Sequence, residues 1–142
     1  VAAAEFEEIV ETFEFLEDWE DRYRHVIDLG REMDPLPEEL HTEGAKVHGC
    51  ASQVWMIPRV QGEGPEAVIS FDGDSDALIV RGLIAVLRTR VNGETADTLS
   101  TLDITGELAR LGLDKHLSAQ RSNGLRAMVA RVREIAESTA RG

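Results

Sequence analysis

The segment Val47-His48-Gly49-Cys50-Ala51-Ser52-Gln53 holds the single cysteine of the chain and the residues best placed to do chemistry. Gly49, Ala51 and Ser52 are small, and Gly49 accepts a left-handed backbone, so the spacing predicts a turn with Cys50 at its tip. A thiol there can act, as thiolate, on a sulfur atom of another protein through an exchange step. Such a nucleophile works best with a pKa near ambient pH. The acidic N-terminal part of the chain tends to raise that pKa. His48, two residues away, shares a face with Cys50 where the segment is extended, and lowers the pKa when protonated and close. The core is the other place open to a lone cysteine, which packs there as a small hydrophobe. Tip and core stay open at this level.

Other chemistries lack their partners. One cysteine makes neither an internal disulfide nor a Cys₄ zinc site, and cannot alone hold an iron–sulfur cluster. A cysteine hydrolase needs a paired histidine and an orienting acid. His25, His41, His48 and His116 are present, but spacing pairs none of them with Cys50. His41, His48 and Cys50 lack the local pair spacing of a zinc module, so no metal is expected. Asp72, Asp74 and Asp76 resemble the start of a calcium loop. No glutamate follows at the twelfth position, so a turn leading into a helix is expected there, with Ser75 or Asp74 as its cap. Gly62-Glu63-Gly64 lacks the third glycine and the following helix of a phosphate-binding turn.

The elements that must position Cys50 follow from periodicity. Phe6, Ile9, Val10, Phe13 and Leu16 recur at helical spacing with glutamates between them. Asp18 can cap a second helix bearing Trp19, Tyr23, Val26 and Ile27, which Asp34-Pro35-Leu36-Pro37 ends. Residues 53–60 are rich in β-branched and aromatic side chains and read as a strand, with Pro58 marking an edge or a bulge. Residues 67–71 pair with it as a hairpin, and 45–48 are expected to add a short third strand. The apolar run from Leu78 to Leu87 predicts a central, buried helix. Gly82 within it marks close approach of a neighbour, and Asn92-Gly93 stops it. Two short helices are expected after Thr95 and Asp103, with Gly112 as the stop, and a last helix from Ser118 or Ser122. The order predicts an α+β fold: a single domain over residues 1–142 with a small three-stranded antiparallel sheet packed against helices.

The 142 residues carry 27 acidic and 15 basic side chains, a net charge of -12. That balance disfavours nucleic acid and anionic membrane as partners. Residues 1–50 hold fifteen of the acids against Arg22, Arg24, Arg31 and Lys46, so they carry most of the imbalance. A solvated helix face and a surface that steers a basic partner both account for it. The lone cysteine points to a reducing compartment, and the N-terminal residues show no basic region of a secretory signal, so a cytoplasmic protein is expected.

Four ordered blocks carry a family resemblance. Gly49-Cys50-Ala51-Ser52-Gln53-Val54-Trp55 resembles the cysteine motif of the SufE family of sulfur acceptors. Trp19-Glu20-Asp21-Arg22-Tyr23 with Leu29-Gly30 resembles its N-terminal helix signature. Asp74-Ser75-Asp76-Ala77 with Ile79-Val80-Arg81-Gly82-Leu83 resembles its central helix. Leu117-Ser118 with Arg121-Ser122-Asn123-Gly124-Leu125 and Met128 resembles the start of its last helix. The resemblance runs from about Phe6 to about Ala136.

The resemblance implies a fold like that of the U-type scaffold proteins. It implies a sulfur acceptor, not itself an enzyme, that binds no cofactor. Its partner would be a SufS- or CsdA-type cysteine desulfurase, which holds the pyridoxal phosphate. Cys50 would attack the outer sulfur of the desulfurase persulfide and pass it to a SufBCD-type iron–sulfur scaffold. His48, Gly49, Ala51, Ser52 and Gln53 would position the cysteine loop. Asp74, Ser75, Asp76, Arg121 and Asn123 would contact the partner or position that loop. The other reading left open is a binding module that activates a desulfurase allosterically, with Cys50 incidental.

Overall fold

The amphipathic spacing near the N-terminus forms helix α1 (Ala2–Phe15), whose Phe6, Ile9, Val10 and Phe13 are buried beneath the glutamates. The computed structural model describes residues 2–142. Leu16 lies just past the helix and is only half-buried. Helix α2 (Trp19–Glu32) starts at Asp18, whose carboxylate accepts from Glu20 N at 3.0 Å, as its sequence position requires.

The chain then enters a hairpin of β1 (Val54–Gln61) and β2 (Val68–Ser75), antiparallel from Val54 opposite Ser75 to Gln61 opposite Val68. β1 is an edge strand. Its Met56 N–H points outward, donating to Ala45 O at 2.8 Å, and Pro58 two residues on faces the same way. Its missing N–H therefore breaks no ladder bond, which is why the proline is tolerated.

Helix α3 (Leu78–Val91) is the central helix, with Leu83, Ile84, Val86, Leu87 and Val91 at 0–1% exposure. It packs on α2, α1 and β2. A methyl on Gly30 would lie 2.5 Å from Gly82 N, and one on Gly82 would overlap the Val26 carbonyl. The close approach expected at Gly82 is thus the crossing of α2 on α3.

Three sequence expectations change here. The third strand is β3 (Glu94–Thr95) rather than residues 45–48. Asn92 ends α3, and its carboxamide pairs with both backbone groups of Phe71, accepting from N at 3.0 Å and donating to O at 3.2 Å. That turns the chain back along β2, where Gly93 N donates to Ile69 O. Residues 45–48 form one bridge only, Lys46 opposite Trp55, because the chain turns away at Gly49. Second, Asp72–Ser75 are strand, not turn: they pair with residues 54–57, and the residue preceding α3 is Ala77. Third, a short helix beyond Gly112 had no sequence signal.

Helices α4 (Ala96–Thr101) and α5 (Ile104–Ala109) begin at Thr95 and Asp103, whose side chains accept from Thr98 N and Gly106 N. The unforeseen helix is α6 (Leu113–His116). Helix α7 (Ala119–Arg141) starts at Ser118 and buries Leu125, Met128, Val129, Val132 and Ala136. The buried side chains form one core, so the fold is α+β with a three-stranded antiparallel sheet.

Candidate functional site

The loop that carries Cys50 is fixed at both ends. On the N-terminal side Val47 is buried, and its N–H donates to Val54 O at 2.8 Å. On the C-terminal side the peptide groups of Gln53 are held against the junction of β2 and α3. Gln53 N donates to Asp76 Oδ1 at 3.0 Å, and Gln53 O accepts from Ser75 Oγ at 2.7 Å and from Asp76 N at 3.3 Å. Between these anchors the backbone reverses at Gly49, whose φ of 92° favours glycine.

Cys50 is therefore on a turn, but its side chain is not free in solvent. It is half-buried, packs against the core, and its Sγ donates to Gly124 O of α7 at 3.6 Å. Tip and core are both partly right: the backbone is at a tip and the thiol faces inward. Burial pushes the Cys50 thiol above its ordinary range. Neither the acidic segment nor His48 enters as a cause.

The sulfur opens onto a cavity of about 280 Å³. Its floor is apolar and buried, from Val54, Val80, Leu83, Leu125 and Met128. Ala51, Ser52, Ser118, Gln120 and Arg121 make its rim. The cavity can shelter a sulfur atom added to Cys50 from water while leaving a path outward. Of its residues, sequence reasoning singled out Cys50, Ala51, Ser52 and Arg121. The floor residues enter the sequence reading as members of apolar segments and of the family-like blocks, with no site role, and Gln120 carries no signal of its own.

His48 is elsewhere. It is exposed, its Nε2 lies 3.8 Å from Glu43 Oε2, and it lines a separate groove with Lys46, Ala127, Arg131 and Glu134. The proximity to the thiol that strand alternation allows is not formed. Asn123 is exposed, accepts from Arg126 at 3.4 Å, and does not line the cavity.

Asp74 is 4% exposed and Ser75 7%, so neither presents a surface to a partner, and loop positioning is the role their contacts fit. Asp74 pairs with Arg81, accepts from Leu36 N at 3.0 Å and from His41 Nε2 at 3.3 Å, and takes Ser75 N at 2.8 Å. Arg81 also donates to Met33 O at 2.6 Å and Gly30 O at 3.1 Å, satisfying carbonyls at the end of α2. The imidazole of His41 stacks on Trp55, ring centres 4.0 Å apart. One buried ion pair thus ties α2, the 34–41 segment, β2 and α3 together directly behind the cysteine loop. Ser75 Oγ also accepts from Ala77 N at 3.2 Å, but Ala77 itself precedes α3 and no side chain caps that helix, so the cap expected at Ser75 or Asp74 is not formed.

The three aspartates of the calcium-like run do not converge. Asp72 pairs with Arg59 and Arg88, Asp74 with Arg81, and Asp76 holds Gln53. Among the described residues no group of three or more His, Cys, Asp or Glu side chains is arranged to hold a metal ion. No helix there is long and apolar enough to cross a membrane. Part of the acidic surface is paired internally: Glu7 accepts two bonds from Arg110, at 2.7 and 2.8 Å, and is held below the usual carboxylate range by it.

Comparison with known proteins adds four findings. Residues 7–136 match the family described as "SufE: Fe-S metabolism associated domain". An uncharacterized SufE-like protein of Rhizobium etli is 48% identical over 94% of this chain and 90% of its own length. The sulfur acceptor protein CsdE of Escherichia coli is 43% identical over 82% of this chain and 78% of its own. The solution structure of a hypothetical protein from Thermus thermophilus shares the fold, with a TM-score of 0.73 at 19% identity over 96% of both chains.

Proposed function

The chain belongs to the SufE family, and on that premise we propose that it is a sulfur acceptor working with a SufS- or CsdA-type cysteine desulfurase, with Cys50 as the sulfur-carrying atom. The observation that carries the assignment to Cys50 is its setting: a thiol on a turn pinned at both ends, opening onto a sheltered cavity.

The step is a thiol–persulfide exchange. The Cys50 thiolate attacks the outer sulfur of the desulfurase cysteine persulfide. A new S–S bond forms at Cys50, the old one breaks, and the desulfurase cysteine leaves as a thiolate. Sulfane sulfur moves and nothing is oxidised or reduced overall. The pyridoxal phosphate that makes the persulfide belongs to the desulfurase, and this chain acts as an accessory to it. A SufBCD-type iron–sulfur scaffold is the proposed receiver, and the cytoplasm the proposed compartment. Arg121 and Asn123, exposed near the start of α7, and Asp76, exposed before α3, are the proposed partner contacts.

The inward, protonated thiol favours a second component. A resting Cys50 reacts slowly until docking draws the loop outward, so binding itself can stimulate the desulfurase. Comparing Cys50→Ala with wild type separates the two shares. If sulfur acceptance carries the function, Cys50→Ala loses most of the stimulation of desulfurase turnover. Retention of most of it would make this chain chiefly an allosteric activator.

A further inference from the structure

Long helices disfavour interior glycine, so each one asks for a reason. Gly30 and Gly82 have theirs in the crossing of α2 on α3. Gly124, in the second turn of α7, has a different neighbour. The three heavy atoms nearest to a methyl built there all belong to one residue: Cys50 Sγ at 3.4 Å, Cβ at 3.7 Å and Cα at 3.9 Å. The Gly124 carbonyl is also the acceptor of the thiol. The bare backbone at this position therefore faces the reactive side chain.

We propose that Gly124 is a positioning residue that seats the Cys50 thiol in its inward pose, and that side-chain volume at position 124 sets how often the thiol is presented outward. The significance of this for sulfur transfer rests on the reading of Cys50 as carrier; the seat itself does not. A lone methyl meets Cys50 at ordinary contact distance, so alanine fits against the seated thiol. Valine fills two of the three staggered positions beyond that methyl, and its χ1 is nearly fixed within a helix. The thiol must then leave. It can do so without unfolding the sheet, because Val47 and Gln53 are anchored independently of it.

The test uses the full chain alone, with iodoacetamide as probe and mass detection of the adduct. Gly124→Ala is expected to label within about twofold of wild type, and Gly124→Val at least about tenfold faster, because labelling follows the population of the open thiol. The pH profile of labelling in Gly124→Val should also move down toward the ordinary thiol value of about 8.5 as burial is relieved. A purely structural role for the glycine would leave that profile in place. The fall in melting temperature caused by Gly124→Val should shrink in a Cys50→Ala background, where the competing sulfur is gone. A valine variant that folds only in that background supports the seat. Wild-type labelling in a folded Gly124→Val, an equal melting loss in both backgrounds, or failure to fold in both overturns it. Because no desulfurase is present, failure here leaves the sulfur-acceptor reading intact, and loss of that reading leaves the seat intact.

Discussion

Replacing Asp76 by alanine should loosen the cysteine loop without unfolding the protein. The carboxylate holds one loop peptide, Gln53 N, at 3.0 Å, and both residues are exposed. Hydrogen bonds to charged acceptors contribute about 1.5–3 kcal/mol when shielded, and an exposed one takes the low end or less, about 1–1.5 kcal/mol. Local opening of residues 48–53 should then rise about 5- to 12-fold, at 1.4 kcal/mol per factor of ten. Two bonds to Gln53 O remain, from Ser75 Oγ and Asp76 N, so the loop loosens rather than detaches. The assay is iodoacetamide labelling of Cys50 paired with hydrogen exchange of the loop amides. Both rates should rise together, while urea unfolding changes by no more than the lost bond. Asp76→Asn should fall between, since its carboxamide oxygen still accepts but carries no charge. Unchanged labelling and exchange in Asp76→Ala would refute the argument that this carboxylate positions the loop.

Arg81→Ala should cost about 3–5 kcal/mol in urea unfolding, because it strands the buried Asp74 carboxylate and frees the Gly30 and Met33 carbonyls. Gly82→Ala should destabilise by about 1–3 kcal/mol despite the better helix propensity of alanine, since the added methyl overlaps the Val26 carbonyl. A thermal melt that rises instead would show that α2 and α3 can separate cheaply. The pH dependence has two limbs. The folded state raises the Cys50 thiol and so holds its proton more tightly than the unfolded chain, and that contribution is whole below about pH 8.5 and is lost as pH climbs through the raised value. Stability of wild type relative to Cys50→Ser should therefore decline on the alkaline side. Glu7 and Glu107, held low by Arg110 and Arg90, work the other way: their contribution is present above about pH 4.3 and is lost on acidification. Denaturant unfolding across pH, with Arg110→Ala as the control for the acid limb, checks both.

The parts of the fold visible in the sequence are those fixed by local chemistry. The glutamate-laced stripe of α1, the Asp18 and Ser118 caps, the buried run of α3 and the edge proline of β1 each depend on neighbours in sequence. What was not legible depends on partners far along the chain. β3 is two residues long and exists because the Asn92 side chain pairs with Phe71. Asp72–Ser75 have the composition of a turn and become strand because β1 lies beside them and Arg81 neutralises Asp74. The cysteine motif itself was plain from its small residues and its likeness to a known family. Its depth was not, because the seat for the thiol comes from Gly124, 74 positions away. The same limit applies to His48. Alternation along a strand allows it to lie beside the thiol, but the segment is not a strand, and the imidazole turns to Glu43.

Mass spectrometry of the intact chain after incubation with a cysteine desulfurase and cysteine shows whether Cys50 carries sulfur. An increment of one sulfur atom is expected, removed by a thiol reductant, mapping to the peptide that contains Cys50 and missing from Cys50→Ser. Stimulated desulfurase turnover with no sulfur increment on this chain would contradict it.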